Sequence, residues 1–171
     1  FADGMRSIKS IDELKVIRHA TNISSRAHQF VMANIHSDSY EYQVEARLRY
    51  FFGVHGAKNE AYSSIVASGK NACTLHYIEN QSKLNKSDLI LIDAGCEYEG
   101  YASDITRTFP IGGKFSEPQK DLYSVVLEAQ KAAISQVKKN NSFNDPHTAA
   151  IKVLAQGLRD FKILKNSVNA I

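Results

Sequence analysis

The 171-residue chain is short of cysteine, proline and net charge, has no tryptophan, and contains no long apolar run. Its two cysteines, Cys73 and Cys96, are too few and too far apart to build a cysteine-based zinc site. They fit a reducing compartment and allow at most one disulfide. A net charge of +3, carried by scattered basic residues, does not point to nucleic acid. No stretch approaches the roughly 18 apolar residues of a membrane span. The opening FADGMRSIKS lacks the apolar centre of a secretory leader, so a cytoplasmic protein is expected. The chain opens on Phe1 rather than Met, from which a piece or a processed product is expected. What remains is an ordinary globular composition, 43% hydrophobic and 23% charged, enough for one sizeable core in one domain.

Several element boundaries can be read directly. Ser10-Ile-Asp-Glu13 is a capping box, and Leu14, Ile17, Ala20, Ala27 and Val31 follow at helical spacing, which predicts a helix over 11–36. A second helix is expected over 41–52, with Val44, Leu48 and Phe51 on one face. AYSSIVASG (61–69) suggests a strand, and a further short strand is expected around Leu75–Ile78. LILIDAG and GYASDITRTFP give the strongest strand signals; Pro110 and Gly112-Gly113 end them. Ser116 starts a helix over 117–139 whose expected buried stripe is Leu122, Val125, Val126, Ala129, Ala133 and Val137. Asp145-Pro146 opens a last helix to about Lys162. The order of elements makes an α+β domain.

Within the strand pair, Asp93 interrupts an apolar run and Asp104 lies in the returning stretch. A hairpin centred on Tyr98 and Glu99 would set the two directly opposite one another on one face. Two partly buried carboxylates that close repel, so one must be protonated or a positive charge must lie between them. A divalent cation meets that need, since carboxylate oxygens suit manganese, magnesium or zinc and can bridge two ions. The competing structural reading has Arg107 and solvent neutralising the acids. His76 is a third candidate: a lone histidine between Leu75 and Tyr77 is commonly a packed core residue, but in the same cleft it could donate to a substrate carbonyl. Tyr62 and Tyr77 read first as packing residues, with Tyr62 also placed to line a pocket. His19, His28, His36, His55 and His147 lack the spacing of a helical metal site and read as surface.

VASG, NACTLHYIEN, DLILIDAGCEYEGYASDITRTFP and GKFSEPQKDLYSVVLEAQ together resemble the catalytic domain of the Xaa-Pro aminopeptidases (aminopeptidase P), pita-bread metallopeptidases related to prolidase and methionine aminopeptidase. The likeness is to the bacterial form of aminopeptidase P. The resemblance implies half of a pita-bread (creatinase/aminopeptidase-like) domain, an antiparallel sheet covered by helices, with residues 1–171 forming the first half of the catalytic domain. It implies that Asp93 binds one metal and Asp104 bridges two, that His76 is the substrate-side catalytic histidine, and that Tyr62 and His76 meet substrate. The implied cofactors are two divalent ions, manganese first, with zinc or cobalt as alternatives. The implied reaction is release of the N-terminal residue from peptides with proline second, with a homo-oligomer allowed and neither nucleic acid nor membrane as partner. The family's later histidine segment and two glutamates have no counterpart here: after Asp104 there are only His147, Glu117 and Glu128. The chain alone is therefore expected to be inactive. A prolidase-type dipeptidase and a pita-bread binding module without catalysis are the alternatives.

Overall fold

The structure, a computed structural model, describes residues 2–164. In chain order the elements are α1 (Ala2–Ser7), α2 (Ile11–Asn34), α3 (Glu41–Val54), β1 (Asn59–Glu60), β2 (Ile65–Ser68), a 3-10 turn (Gly69–Cys73), β3 (Leu89–Ala94), β4 (Cys96–Tyr98), β5 (Tyr101–Ala102), β6 (Ile105–Pro110), α4 (Glu117–Ser135) and α5 (Asp145–Asp160). They form two compact units, Phe1–Lys114 and Phe115–Ile171. No helix among the described residues is long and apolar enough to cross a membrane.

In the first unit, α2 starts where its capping box places it: the Glu13 amide donates to Ser10 Oγ, and the Ser10 amide donates to Glu13 Oε2. Two antiparallel ladders, β2-β3-β6 and β1-β4-β5, share the long hairpin of β3–β6. Alternation along β3 turns Ile90, Ile92 and Ala94 into the core against Ala20, Ile23, Ala27 and Val31 of α2 and Val44, Leu48 and Phe52 of α3. Leu89, Leu91 and Asp93 are left on the opposite face. Asp93 therefore sits in an apolar strand because that strand has a second face, away from the helices.

The hairpin's register corrects the one expected. Tyr98 pairs with Tyr101, so the turn is Glu99-Gly100, and both residues are left-handed, with φ of 49 and 82. That is the two-residue hairpin geometry whose backbone matches strand twist, and Gly100 adopts it without strain. A centre one residue earlier would force Tyr98 into that region instead. Asp93 consequently faces Thr106, not Asp104. The shift is two residues in register, so it leaves both acids on the same face and makes them diagonal rather than direct neighbours.

At Gly95 the ladder breaks. A Cβ built there would fall 1.8 Å from the Ser103 carbonyl oxygen, backbone that cannot swing aside. Gly95→Ala should therefore cost about 3 kcal/mol, the upper range for overpacking, read as a lower urea midpoint; a variant as stable as the parent would show that the two strands separate easily here. On the neighbouring strand, Glu60 pairs with Cys96 and Ile65 with Asp93, so residues 61–64 oppose only Ala94 and Gly95. This bulge carries Tyr62.

Three expectations need correction. No strand forms at Leu75–Ile78; the chain turns there instead, and the polar contacts described below replace the ladder. α4 ends at Ser135, and in its expected stripe Leu122, Val126 and Val137 are exposed while Ala129 is buried. In that unit α4 packs on α5, with Val125 directly against Gly157. A Cβ on Gly157 would lie 2.4 Å from Val125 Cγ1, so the helix face is set by close approach rather than by the widest apolar stripe. Third, His28 is not at the surface: it is only 2% exposed and lies within the face of α2 that meets the sheet.

Candidate functional site

The bulge, β3 and the segment before β6 converge on one hydroxyl. Tyr62 OH lies 2.6 Å from Asp93 Oδ1 and 3.1 Å from Asp104 Oδ1. The two carboxylate oxygens can be no farther apart than the sum of those distances. Asp93 and Tyr62 are half-buried and Asp104 is exposed. A phenol has one proton to donate, so it can fully satisfy only one of the two acids. Burial raises the Tyr62 pKa strongly, and the hydrogen bond to Asp93 and the charges of Asp93 and Asp104 push it the same way. Beside the two charged carboxylates Tyr62 therefore stays a neutral donor.

Arg107 makes no ion pair with either acid among the described residues. Its Nη1 donates to the Thr106 carbonyl at 2.7 Å. Two acids sharing a single proton donor, partly screened by protein and without a cationic side chain, make a donor set that a hard or borderline divalent cation fits. Among the described residues no group of three or more His, Cys, Asp or Glu side chains is arranged to hold a metal.

His76 lies in the turn after the 3-10 segment, exposed, with a left-handed φ of 54. Among the described residues no hydrogen bond or ion pair links it to Asp93, Asp104 or Tyr62. The loop that carries it is held from below by Glu41, which the sequence reading passed over. Glu41 is fully buried at the start of α3. Its Oε1 accepts from the Ser68 amide and hydroxyl, both at 2.7 Å, and from Asn71 Nδ2 at 3.0 Å. Its Oε2 accepts from Tyr77 OH at 2.8 Å and the Ser82 amide at 2.9 Å. Burial alone would raise the Glu41 pKa, but the bonds from Ser68, Asn71 and Ser82 more than offset it, and the carboxyl ends below its ordinary value. One turn on, Glu45 accepts from Asn80, whose side-chain oxygen in turn caps the Val66 amide. A glutamate at the first helical position reads as a dipole partner in sequence; only the fold reveals that a loop closes over it.

The sequence profile of metallopeptidase family M24 matches residues 15–165. The chain belongs to that family. Over 167 residues it is 45% identical to the Xaa-Pro aminopeptidase of Haemophilus influenzae, covering 98% of this chain and 39% of that protein. Among solved structures, aminopeptidase PepP of Pseudomonas aeruginosa superposes with a TM-score of 0.93 at 48% identity, covering 95% of this chain and 37% of that one. Zinc-substituted aminopeptidase P of Escherichia coli in complex with product gives a TM-score of 0.95 at 40% identity, covering 97% and 38%. The chain thus has the aminopeptidase P fold, the pita-bread architecture, over about two fifths of the length of these relatives. Membership of this M24 metallopeptidase family implies divalent metal ions.

Proposed function

We propose that the whole protein is a cytoplasmic, metal-dependent Xaa-Pro aminopeptidase, and that residues 1–171 are the first half of its catalytic domain. The observation that carries this reading is the meeting of Asp93 and Asp104 at one tyrosine hydroxyl, in a chain 45% identical to an Xaa-Pro aminopeptidase. Asp93 and Asp104 would hold two divalent ions, with manganese favoured, and further ligands would come from the rest of the protein. Bound there, divalent metal supplies Lewis acidity toward the scissile carbonyl and an acidified water.

The chain's own residues do the rest. Tyr62 keeps its proton and holds the two carboxylates on one face. His76, on an exposed turn, is available to donate to the substrate carbonyl. A bond preceding proline is a tertiary amide without an N–H, so recognition must come through its carbonyl and the free N-terminus. The test is release of the first residue from Xaa-Pro-Xaa peptides by the whole protein with added manganese. Hydrolysis confined to Xaa-Pro dipeptides would make it a dipeptidase, and no manganese-dependent release from either class would end the enzymatic reading.

A further inference from the structure

We propose that Ser24 and His28, one helical turn apart on α2, are positioning residues that fix the separation of Asp93 and Asp104; the proposal rests on reading those two acids as cation-binding. Residues 20, 24 and 28 recur every four positions and so lie along one line of the helix. Each meets the hairpin at backbone or side-chain polar atoms next to the acids. The Cys96 thiol contacts the Ala20 carbonyl at 3.4 Å. Ser24 Oγ accepts from the Cys96 amide at 2.9 Å and lies 2.8 Å from Ser103 Oγ. His28 Nε2 lies 3.1 Å from the Ala94 carbonyl.

Counting protons fixes the directions. Ser103 spends its hydroxyl proton on the Cys96 carbonyl at 2.8 Å, so Ser24 must donate to Ser103. A carbonyl cannot donate, so His28 carries its proton on Nε2 and gives it to Ala94. Burial, helped by the charge of Arg107, lowers the His28 pKa against the backbone bonds at Ala94 and Ile105 and the charge of Asp93. All three groups are buried, and His28 Nδ1 is left without a hydrogen-bond partner among the described residues. A buried imidazole is costly to keep without hydrogen bonds, which directs attention to what Nε2 holds.

What it holds is the residue after Asp93, while Ser24 holds the residue before Asp104. Asp93 lies on the β3–β6 ladder and Asp104 opposite Gly95, where that ladder breaks before it resumes in the same register at β4–β5. The register sets the face and the diagonal, and the side chains of α2 brace the strands on either side of the break. The buried face of α2 holds Ala94, Cys96 and Ser103 through His28 and Ser24. Outer groups of this kind commonly tune metal affinity 10–100-fold.

The experiment measures manganese(II) binding by the whole protein, following the electron spin resonance signal of the free ion. Ser24→Ala and His28→Phe should each weaken binding roughly tenfold, and His28→Gln, which returns a donor near the Nε2 position, should restore it to near the wild-type value. Wild-type affinity in both Ser24→Ala and His28→Phe would overturn the proposal. So would a loss in His28→Phe that His28→Gln fails to repair, because packing alone would then explain it. If His28→Phe does not fold, Ser24→Ala, which removes a single oxygen, decides by the same criterion. Asp93→Asn and Asp104→Asn serve as controls: if neither alters manganese binding, the cation reading fails and the proposal goes with it.

Discussion

Glu41→Gln should destabilise the first unit by about 2–4 kcal/mol, because hydrogen bonds to a buried charge are worth about 1.5–3 kcal/mol each and this one accepts several. The amide oxygen can replace Oε1 and keep Ser68 and Asn71. Its NH2 group then points at the Ser82 amide, which is also a donor, and only Tyr77 can turn its hydroxyl to accept. The loss should be local as well as global. Amide hydrogen exchange at Ser68 and Ser82 should accelerate, together with the 69–83 loop. The pH dependence has a definite sign. The folded pKa of Glu41 lies below its ordinary 4.5, so its stabilisation is complete above that value and fades as pH falls through the folded pKa. The stability gap between wild type and Glu41→Gln should be widest near neutrality and narrow below about pH 4.5. A gap independent of pH would mean that the charge contributes nothing and that only shape was lost.

Glu41 also marks where sequence reading ended. Helix starts, the apolar faces of α2 and α3, and the two long strands of the hairpin were legible because each depends on neighbours within a few residues: a capping box, a period, an alternation. The pairing of the two aspartates on one face was legible for the same reason, since parity along a strand survives a register shift of two. Their register was not. It depended on which turn residue could adopt positive φ, and Gly100 decided it over Tyr98.

The bulge at 61–64, the loop at 69–83 and the burial of His28 were hidden for a different reason. Each depends on contacts between residues far apart in the chain, such as Tyr62 with Asp104 or His28 with Ala94. One signal was overlooked. Ser24 and His28 fall on the same helical face as Ala20, Ala27 and Val31, so polar groups there had to be buried and needed partners. The resemblance to Xaa-Pro aminopeptidases named the acids and Tyr62; how the hydroxyl spans both carboxylates was visible only in the structure.

Asp104→Asn should abolish manganese-dependent release of the N-terminal residue by the whole protein, a loss of roughly a hundredfold or more, since groups one layer farther out already cost 10–100-fold. Loss of activity alone would not separate a ligand from a residue needed for folding. The electrostatics of the pair supplies that separation through a change of sign. Without metal, Asp93 and Asp104 repel one another across a hydroxyl that can satisfy only one of them, and among the described residues no ion pair joins Arg107 to either. Removing one charge relieves that repulsion, so metal-free Asp104→Asn should melt at or above the metal-free wild type. Added manganese should reverse the order. A ligand that binds only the folded state stabilises by mass action, and the wild type should gain where the variant does not. The same crossing is expected for Asp93→Asn, because the repulsion belongs to the pair. A variant less stable than wild type without metal would mean that the acids are held by protein contacts and not by a cation. Equal gains with manganese in wild type and both variants would place the metal somewhere other than between β3 and β6.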